Sequence, residues 1–440
     1  MQTNKEQFDV VIIGGGLAGL AAAAYLGRAG KRVCLFERSQ TLGGRAQTEK
    51  REDFLFNIGA HALYRGGYAM EVLKELGVVP QGAMPLPSGG FAIKDGIKHT
   101  FPTGPFSLLT TGLFGLGAKL EVAQWLGTLA KLDTDSLMGI TVQEWLNKQF
   151  VHPVARELLL ALIRVSTYSN APKEMSAGVA LKQLKLAVKA NVLYLDGGWQ
   201  TLVEGLRQTA QTAGVEIKTG IKVESVIRNH LGGVEAVKIA NGEVYRVDKA
   251  VIAAGPVEAL KLLEDGQTTS LAKYAKEAIP IKAACLDVAL RELPRPKATF
   301  ALGIDKPYYF SVHSASAKLA LGGGALIHTL KYLPLTHNDS PTSIEHELEG
   351  VLDLMQPGWR ELVVSRKFLP AMIVCHAIDT AKQGGLKARP TPTVEDVPGL
   401  FIAGDWVGDK GLLADASLAS ARDAANLIIS CQKDRLALAG

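Results

Sequence analysis

The chain has 440 residues, a length that predicts two domains rather than a single core. Hydrophobic residues make up 47% and charged residues 21%, values that exclude a disordered or fibrous protein. The formal net charge of +5 comes without a block of Lys and Arg, so the sequence gives no indication of nucleic-acid binding.

The cysteines and the N-terminal residues indicate whether the chain binds a metal and in which cellular compartment it works. Four scattered cysteines, Cys34, Cys285, Cys375 and Cys431, form no CxxC pair, so no metal site is predicted. Residues 10–26 are apolar, but Glu6, Asp9 and the glycine cluster argue against a secretory signal. We therefore expect a cytoplasmic, reducing environment.

The first predicted unit is a β-turn-α-β arrangement at residues 8–37. A strand at 10–13 runs into the sequence GGGLAG, and a helix at 20–29 follows, with Gly30 at its C-terminal end. A second strand at 32–36 ends at Glu37. This order is typical of a dinucleotide-binding unit, and an ordinary βαβ unit with a glycine turn is the alternative.

The glycines of this unit have separate physical roles. Gly14 permits the tight turn, a side chain at Gly16 would block a pyrophosphate, and Gly19 lets the helix lie close to the strand. The helix N-terminus offers unpaired N–H groups and a positive dipole end to phosphates. Glu37 is placed to accept hydrogen bonds from ribose hydroxyls.

Two further segments carry glycine turns. Gly43 and Gly44 precede Arg45, whose guanidinium can pair with a pyrophosphate, and a plain surface loop is the alternative. The sequence FLFNIGAH at 54–61 predicts a short strand running into Gly59, where the backbone can approach a flat ligand. His61 either faces that ligand or is a structural residue.

The composition of the chain changes after residue 80. An amphipathic helix is predicted at 68–77, and residues 80–118 are then rich in Gly, Pro, Phe and Leu, with no charge between Lys98 and Lys119. Prolines and glycines interrupt this run, which excludes a transmembrane helix. It is either a buried loop-and-helix segment or an apolar lip that contacts a membrane or admits an apolar substrate. Residues 119–189 are predicted to be helical.

Downstream residues return to α/β character and then form a sheet. A helix at 200–213 is followed by strands at 215–219, 222–228 and 250–254, with hairpin turns at 232–233 and 241–242. Strands at 283–290, 308–312 and 325–330 and a helix at 343–354 predict an antiparallel sheet, with Lys282 just before its first strand. A buried strand at 400–403 leads through Gly404 and Asp405 to a long helix, whose N-terminus can stabilise negative charge.

Three separated motifs carry a resemblance to a known family. GGGLAG with Glu37, then LGGR, then FIAGD with its following helix resemble the glutathione-reductase-type FAD domain. More narrowly, with the segment at 197–226, they resemble the flavin amine oxidase, protoporphyrinogen oxidase and phytoene desaturase superfamily, closest in character to phytoene desaturases. The resemblance implies an α/β plus α+β fold: a Rossmann-like FAD domain built from discontinuous segments, and a substrate domain of antiparallel sheet plus helices.

The resemblance also implies domain segments and site residues. The FAD domain is expected at 1–84, 191–275 and 391–440, and the substrate domain at 85–190, its helical insertion, and 276–390, its sheet. The expected FAD contacts are Gly14, Gly16, Leu17, Ala18, Gly19, Glu37, Arg38, Gly44, Arg45, Gly59, Ala60, Val223, Gly404, Asp405, Leu412, Leu413 and Ala414. Among them, Val223 would offer backbone groups to the adenine, and the helix start at Leu412 would face the flavin N1–C2=O edge.

The implied activity is FAD-dependent removal of hydride equivalents from an apolar substrate such as a carotenoid precursor. Leu412 stands where amine oxidases carry an aromatic residue, and Asn57 where the family often has Asp. Protoporphyrinogen-type and amine oxidation are the alternatives, and a prenyl-binding protein of the GDP-dissociation-inhibitor type is the non-enzyme alternative. Lys282 and His61 are the candidates for catalysis. Oxygen or a quinone would accept the electrons, and peripheral membrane contact is expected to be possible.

Overall fold

The computed structural model describes residues 8–86 and 89–439, with side chains described as far as residue 430. Glu6 and the side chain of Cys431 lie outside the described residues, as do the ends of the first and last predicted segments.

The chain forms mixed α and β structure throughout the described residues. The helices are α1 Leu17–Arg28, α2 Tyr68–Glu75, α3 Pro105–Thr110, α4 Leu116–Leu129, α5 Val142–Gln149, α6 Pro153–Thr167, α7 Ala177–Ala190, α8 Gln200–Thr212, α9 Pro256–Lys261, α10 Leu271–Glu277, α11 Pro341–Met355 and α12 Ala414–Ala439. The strands are β1 Val10–Ile13, β2 Val33–Phe36, β3 Thr48–Arg51, β4 Phe54–Asn57, β5 Leu63–Tyr64, β6 Gly82–Ala83, β7 Gly90–Lys94, β8 Ile97–Thr100, β9 Val192–Leu195, β10 Glu216–Lys218, β11 Val223–Arg228, β12 Val234–Ile239, β13 Val244–Arg246, β14 Ala250–Ile252, β15 Ile281–Leu290, β16 Phe300–Gly303, β17 Tyr308–Val312, β18 Ala325–Tyr332, β19 Val363–Cys375 and β20 Leu400–Ile402.

A five-stranded parallel sheet forms the first layer, in the order β10-β2-β1-β14-β20. Its central strand β1 is buried on both faces, which explains why its sequence is an unbroken apolar run. Val10 and Ile12 pack towards α1, α8 and α12. Val11 and Ile13 pack on the other side with residues of the antiparallel sheet β11-β12-β13. Strands from three distant parts of the chain therefore build one Rossmann-like layer.

A seven-stranded sheet forms the second body, in the order β19-β15-β18-β17-β16-β7-β8. Its pairs are antiparallel except β16 with β7. Ala284, Leu286 and Val288 of β15 pack in one core with residues of α11. Ala283 and Cys285 point to the opposite face and join a core with residues of α4 to α7. The predicted fold class is confirmed.

Several sequence-based boundaries were wrong in detail. Lys282 lies inside β15 rather than before it, because the strand begins at Ile281. The segment 85–190 is not only helical, since β7 and β8 extend the large sheet. The 13-residue strand β19 was not predicted at all.

The predicted absence of a transmembrane segment at 100–118 agrees with the structure. Among the described residues, no helix combines the length and the apolar character needed to cross a bilayer.

Candidate functional site

The first glycine turn has the geometry that its sequence predicted. Gly14 has φ +112°, and a Cβ there would lie 2.6 Å from the carbonyl oxygen of Ala253. A Cβ at Gly19 would overlap the carbonyl oxygen of Gly14, so α1 can approach β1 only with glycine at this position. A Cβ at Gly16 would have Gly43 O, at 3.9 Å, as its nearest neighbour, so the space beside Gly16 is open.

The second glycine turn faces the first across this open space. The Gly43 N–H donates to the Gly15 carbonyl at 2.8 Å, which holds the two turns together. A Cβ at Gly44, where φ is +54°, would meet only the Cα of Gly16, at 3.9 Å. The gap is bounded by backbone and by the N-terminus of α1, with Leu17 and Ala18 in its first turn. Such a gap suits a diphosphate.

Glu37 lies at one end of the gap and is nearly buried, with 9% exposed. Its carboxylate accepts hydrogen bonds from Gly15 N at 2.6 Å and Ser39 N at 2.8 Å. Since a carboxylate offers about four lone-pair sites, it can still accept from hydroxyl groups. Ile221 N donates to Glu37 O, which brings the start of β11 and Val223 to this end. The neighbouring Arg38 is exposed.

Arg45 and Asp405, predicted from separate motifs, lie in contact at the other side of the gap. Arg45 Nη1 donates to Asp405 Oδ2 and to the carbonyl of Val374, both at 2.7 Å. His376 Nδ1 is 2.9 Å from Asp405 Oδ1 and 3.2 Å from Arg45 Nη2. Although burial opposes ionisation, the charges of Arg45 and His376 hold the pKa of Asp405 well below its usual range. His376 was not among the predicted site residues.

The start of α12 lies between the body built on the five-stranded parallel sheet and the body built on the seven-stranded sheet. Leu412 joins the core of the second body, whereas Ala414 packs against that of the first. Leu413 has φ +56°, the turn from which α12 begins. Gly404 N donates to Ser420 Oγ at 3.0 Å, which ties the AGD turn to this helix.

Asp415, in the first turn of α12, was not predicted as a site residue. It is 2% exposed, and its Oδ1 accepts from Ala69 N of α2 at 2.8 Å. Burial raises the pKa of Asp415 to about 7. Nothing local in the sequence indicates that this side chain is enclosed by α2.

Gly59, Ala60 and His61 lie against the large sheet. Gly59 has φ +78°, and a Cβ there would lie 2.5 Å from Cε of Met372 on β19. The Ala60 carbonyl accepts from Tyr168 Oη at 2.9 Å. His61 is half-buried and lies edge-on to Trp199, with ring centroids 5.0 Å apart.

Asn57 does what an aspartate would do at this position. Its Oδ1 accepts from the Thr48 hydroxyl at 2.7 Å and from Trp199 N at 3.0 Å. Both contacts use an acceptor oxygen that Asn and Asp share. This departure from the family pattern therefore preserves the local structure.

Lys282 is not brought to the other predicted residues. Alternation along β15 puts its side chain on the same face as Ala284, the face that packs against α11. Cys285 is on the opposite face, where its Sγ would lie 3.5 Å from a Cβ at Gly59.

The fold belongs to the Rossmann-like class of nucleotide-binding folds. The open gap between two glycine turns, the carboxylate at one end and the helix start at the other fit an extended dinucleotide. The model of the flavin containing amine oxidoreductase family matches residues 17–281, and the chain belongs to that family. The cofactor that the family implies is a flavin.

Known proteins resemble the chain in sequence and in fold. The 15-cis-phytoene desaturase of Glycine max is 29% identical over 287 residues, covering 58% of this chain and 48% of that protein. The chain thus spans about half the length of this curated relative. An oxidoreductase from Methanosarcina mazei has a TM-score of 0.73 at 18% identity, covering 94% of this chain and 98% of its own.

A structural neighbour of a different kind has the same fold. The Rab GDI of Plasmodium falciparum has a TM-score of 0.59 at 13% identity, covering 97% of this chain and 98% of its own. Fold likeness alone therefore does not separate an oxidoreductase from a protein of that kind, and the cleft residues must carry the distinction.

Proposed function

We propose that the protein is an FAD-dependent oxidoreductase that removes hydride equivalents from an apolar substrate. The observation that carries this proposal is the convergence of three distant motifs on one cleft. Gly16 faces Gly44 across open space, Glu37 closes one end, and Arg45 contacts Asp405 at the other side. A protein that bound no cofactor would have no need of these contacts together.

FAD rather than a shorter flavin would use the residues at both ends of the cleft. Glu37 and the start of β11 would hold the adenosine, the glycine turns the diphosphate, and the start of α12 the flavin ring. When bound, the flavin would supply the hydride acceptor. The chain's own residues would bind, orient and exclude water.

The substrate class is proposed from the relatives and from the second body of the molecule. The phytoene desaturase resemblance favours a carotenoid precursor, and Leu412 replaces an aromatic wall used for amines. A specific observation supports the alternatives of porphyrinogen or amine oxidation. Asp287 and His328, both fully buried, lie on the sheet face near Gly59 and would suit a substrate with polar nitrogen.

The GDP-dissociation-inhibitor alternative is disfavoured by Glu37, Arg45 and Asp405. A prenyl-binding protein has no use for a ribose acceptor beside a diphosphate gap. We also propose contact with a membrane surface, which would deliver an apolar substrate, and oxygen or a quinone as electron acceptor.

One experiment separates these functions. The flavin released from purified protein is identified chromatographically, and the holoprotein is mixed anaerobically with phytoene in detergent, protoporphyrinogen IX, or putrescine. We expect bound FAD, and bleaching of its absorbance by phytoene. Bleaching by another compound would move the substrate class to that compound. Colourless protein that takes up no FAD would overturn the proposal.

A further inference from the structure

His61 presents one free nitrogen whose state is fixed by a backbone contact. Its Nδ1 lies 3.0 Å from the carbonyl oxygen of Gly59. A carbonyl can only accept, so Nδ1 carries the hydrogen and Nε2 of the neutral ring holds a lone pair. Within the described part of the chain, Nε2 has no hydrogen-bond partner, and the ring is half-buried.

A buried acid–imidazole pair lies on the large sheet beside the segment of His61. Cys285, which donates to Asp287, would lie 3.5 Å from a Cβ at Gly59, the residue whose carbonyl contacts His61. Asp287 of β15 and His328 of β18 are directly opposite in register, so both side chains are on one face. Asp287 Oδ1 is 2.5 Å from His328 Nδ1 and also accepts from the Cys285 thiol at 3.0 Å. Both residues have 0% exposure, and Asp287 Oδ2 and His328 Nε2 have no partner among the described residues.

The polar cluster continues along the same sheet face. The His313 ring lies 4.4 Å from that of His328, centroid to centroid, and stacks on Tyr194 at 3.8 Å. His313 Nε2 is 3.0 Å from Tyr309 Oη. Burial lowers the pKa of His313 well below its usual value, so this ring is neutral. Lys367 of β19 is directly opposite Asp287 in register and so lies on the same sheet face, where its ammonium donates to Glu49 Oε2 at 3.0 Å.

The groups around His61 act on its protonation with opposite signs. Burial is the largest effect and lowers the pKa of His61, while its hydrogen bond to the Gly59 carbonyl raises it. The charges of His328 and Arg45 lower this pKa further, and the Asp287 carboxylate raises it. The other titratable groups around the cluster are His313, Cys285 and the Lys367–Glu49 ion pair. His61 is thus neutral near pH 7, with a carboxylate in range to stabilise its cation.

We propose that His61 is the proton acceptor of the oxidation, and that the Asp287 carboxylate, held in place by His328 and Cys285, stabilises its protonated form. This inference rests on the proposed function and deepens it. One substrate C–H bond would break with its electron pair leaving as hydride, for which a bound flavin would supply the acceptor. A neighbouring C–H or N–H bond breaks, its proton goes to Nε2, and its electrons form the new C=C or C=N bond. The substrate would therefore be a compound that loses a hydride from one atom and a proton from the neighbouring atom.

The first test needs no substrate. In ¹⁵N-histidine-labelled holoprotein, NMR should show His61 as the Nδ1–H tautomer at pH 7, protonating below the ordinary pKa of an imidazole, about 6.5. Asp287→Asn should lower the pH of that protonation, because it removes the charge that raises the pKa of His61. A charged ring at pH 7, or a proton on Nε2, would overturn the assignment.

The second test uses the compound that bleaches the flavin. His61→Gln should slow bleaching by about 10²- to 10⁴-fold with unchanged FAD content, and the exposed control His346→Gln should not. In wild type the rate should fall as the pH drops through the pKa of His61, and Asp287→Asn should move this fall to lower pH. Wild-type rates in His61→Gln would refute the proton acceptor, and an unmoved profile would refute the role of Asp287.

Failure of the two proposals is distinguishable. If no compound bleaches the flavin, the proposed function is lost. NMR can still measure the tautomer of His61 and the effect of Asp287→Asn on its titration. These two results decide whether Asp287 stabilises the protonated form of His61.

Discussion

Glu37 and Asp415 are both nearly buried carboxylates, but the protein holds them differently. Each oxygen of Glu37 accepts a backbone N–H, so both carboxylate oxygens have a hydrogen-bond partner. Asp415 has one such donor, Ala69 N, and its Oδ2 has no partner among the described residues. At the residue scale, Glu37 is therefore suited to binding, whereas Asp415 destabilises the fold when charged.

Glu37→Ala should lower FAD content at least tenfold, because it removes the proposed ribose acceptor and a charged hydrogen-bond partner. The circular dichroism spectrum should stay native. Glu224→Ala, at an exposed carboxylate on β11, is the matched control. Full flavin occupancy in Glu37→Ala would count against the assignment of the cleft.

Asp415 predicts a pH-dependent stability with a definite sign. Its pKa rises from 3.8 to about 7 on folding, so stability is lost as the pH rises between these values. Between pH 5.5 and 8 the free energy of unfolding should fall by about 2 kcal/mol. Asp415→Asn should abolish this loss in urea titrations, whereas the exposed control Asp53→Asn should retain it. Identical pH dependence in Asp415→Asn and wild type would contradict the prediction.

At the element scale, α3 and α4 expose large apolar side chains that the rest of the fold does not cover. Phe106, Leu109, Leu116 and Leu120 are 79%, 66%, 70% and 63% exposed. Leu116 and Leu120 are four residues apart and so share one face of α4. Lys119 reaches the carbonyl of Leu109, which joins the two helices. An exposed apolar surface of this kind is typical of an interaction site.

Phe106→Ser with Leu116→Ser should weaken binding to anionic vesicles at least tenfold, since each buried side chain contributes about 1.5–3 kcal/mol. Co-sedimentation with vesicles measures this. Val188→Ser with Leu231→Ser changes exposed apolar residues outside α3 and α4 and is the control. Equal loss in both double variants would mean that the effect is not specific to these helices.

What the sequence could predict depends on how local the signal is. β1, α1 and β2 were predictable because a glycine turn, an alanine-rich helix and a terminal acid lie within thirty residues. β19 was missed because its residues are partly exposed and lack a clean alternation. β7 was missed because its partner β16 lies some two hundred residues away. His376 and Asp415 were missed for the same reason, because their hydrogen-bond partners come from other segments of the chain.

At the scale of the whole molecule, one ligand would span contacts from three chain segments. Residues of the N-terminal segment, of β11 and of α12 contribute to the proposed FAD site. Binding of FAD to the folded state alone therefore stabilises the complete assembly rather than one element.

FAD at a hundredfold excess over its Kd should add about 2.7 kcal/mol to the stability of flavin-free protein and raise the melting temperature by a few degrees. FMN is the matched control, because it lacks the adenosine half that Glu37 and β11 would hold. Differential scanning fluorimetry measures both. Equal shifts with FMN and FAD would show that the adenosine contacts do not contribute.

The order of the parallel sheet has a consequence for synthesis on the ribosome. β1 is translated early, but its neighbour β14 and the edge strand β20 follow only near residues 250 and 400. At about 5–20 residues per second, the nascent chain waits roughly 12–48 s between β1 and its partner β14. During that interval β1 and β2 present an unpaired apolar edge, which chaperones would need to shield. Flavin can be taken up only when translation has passed α12.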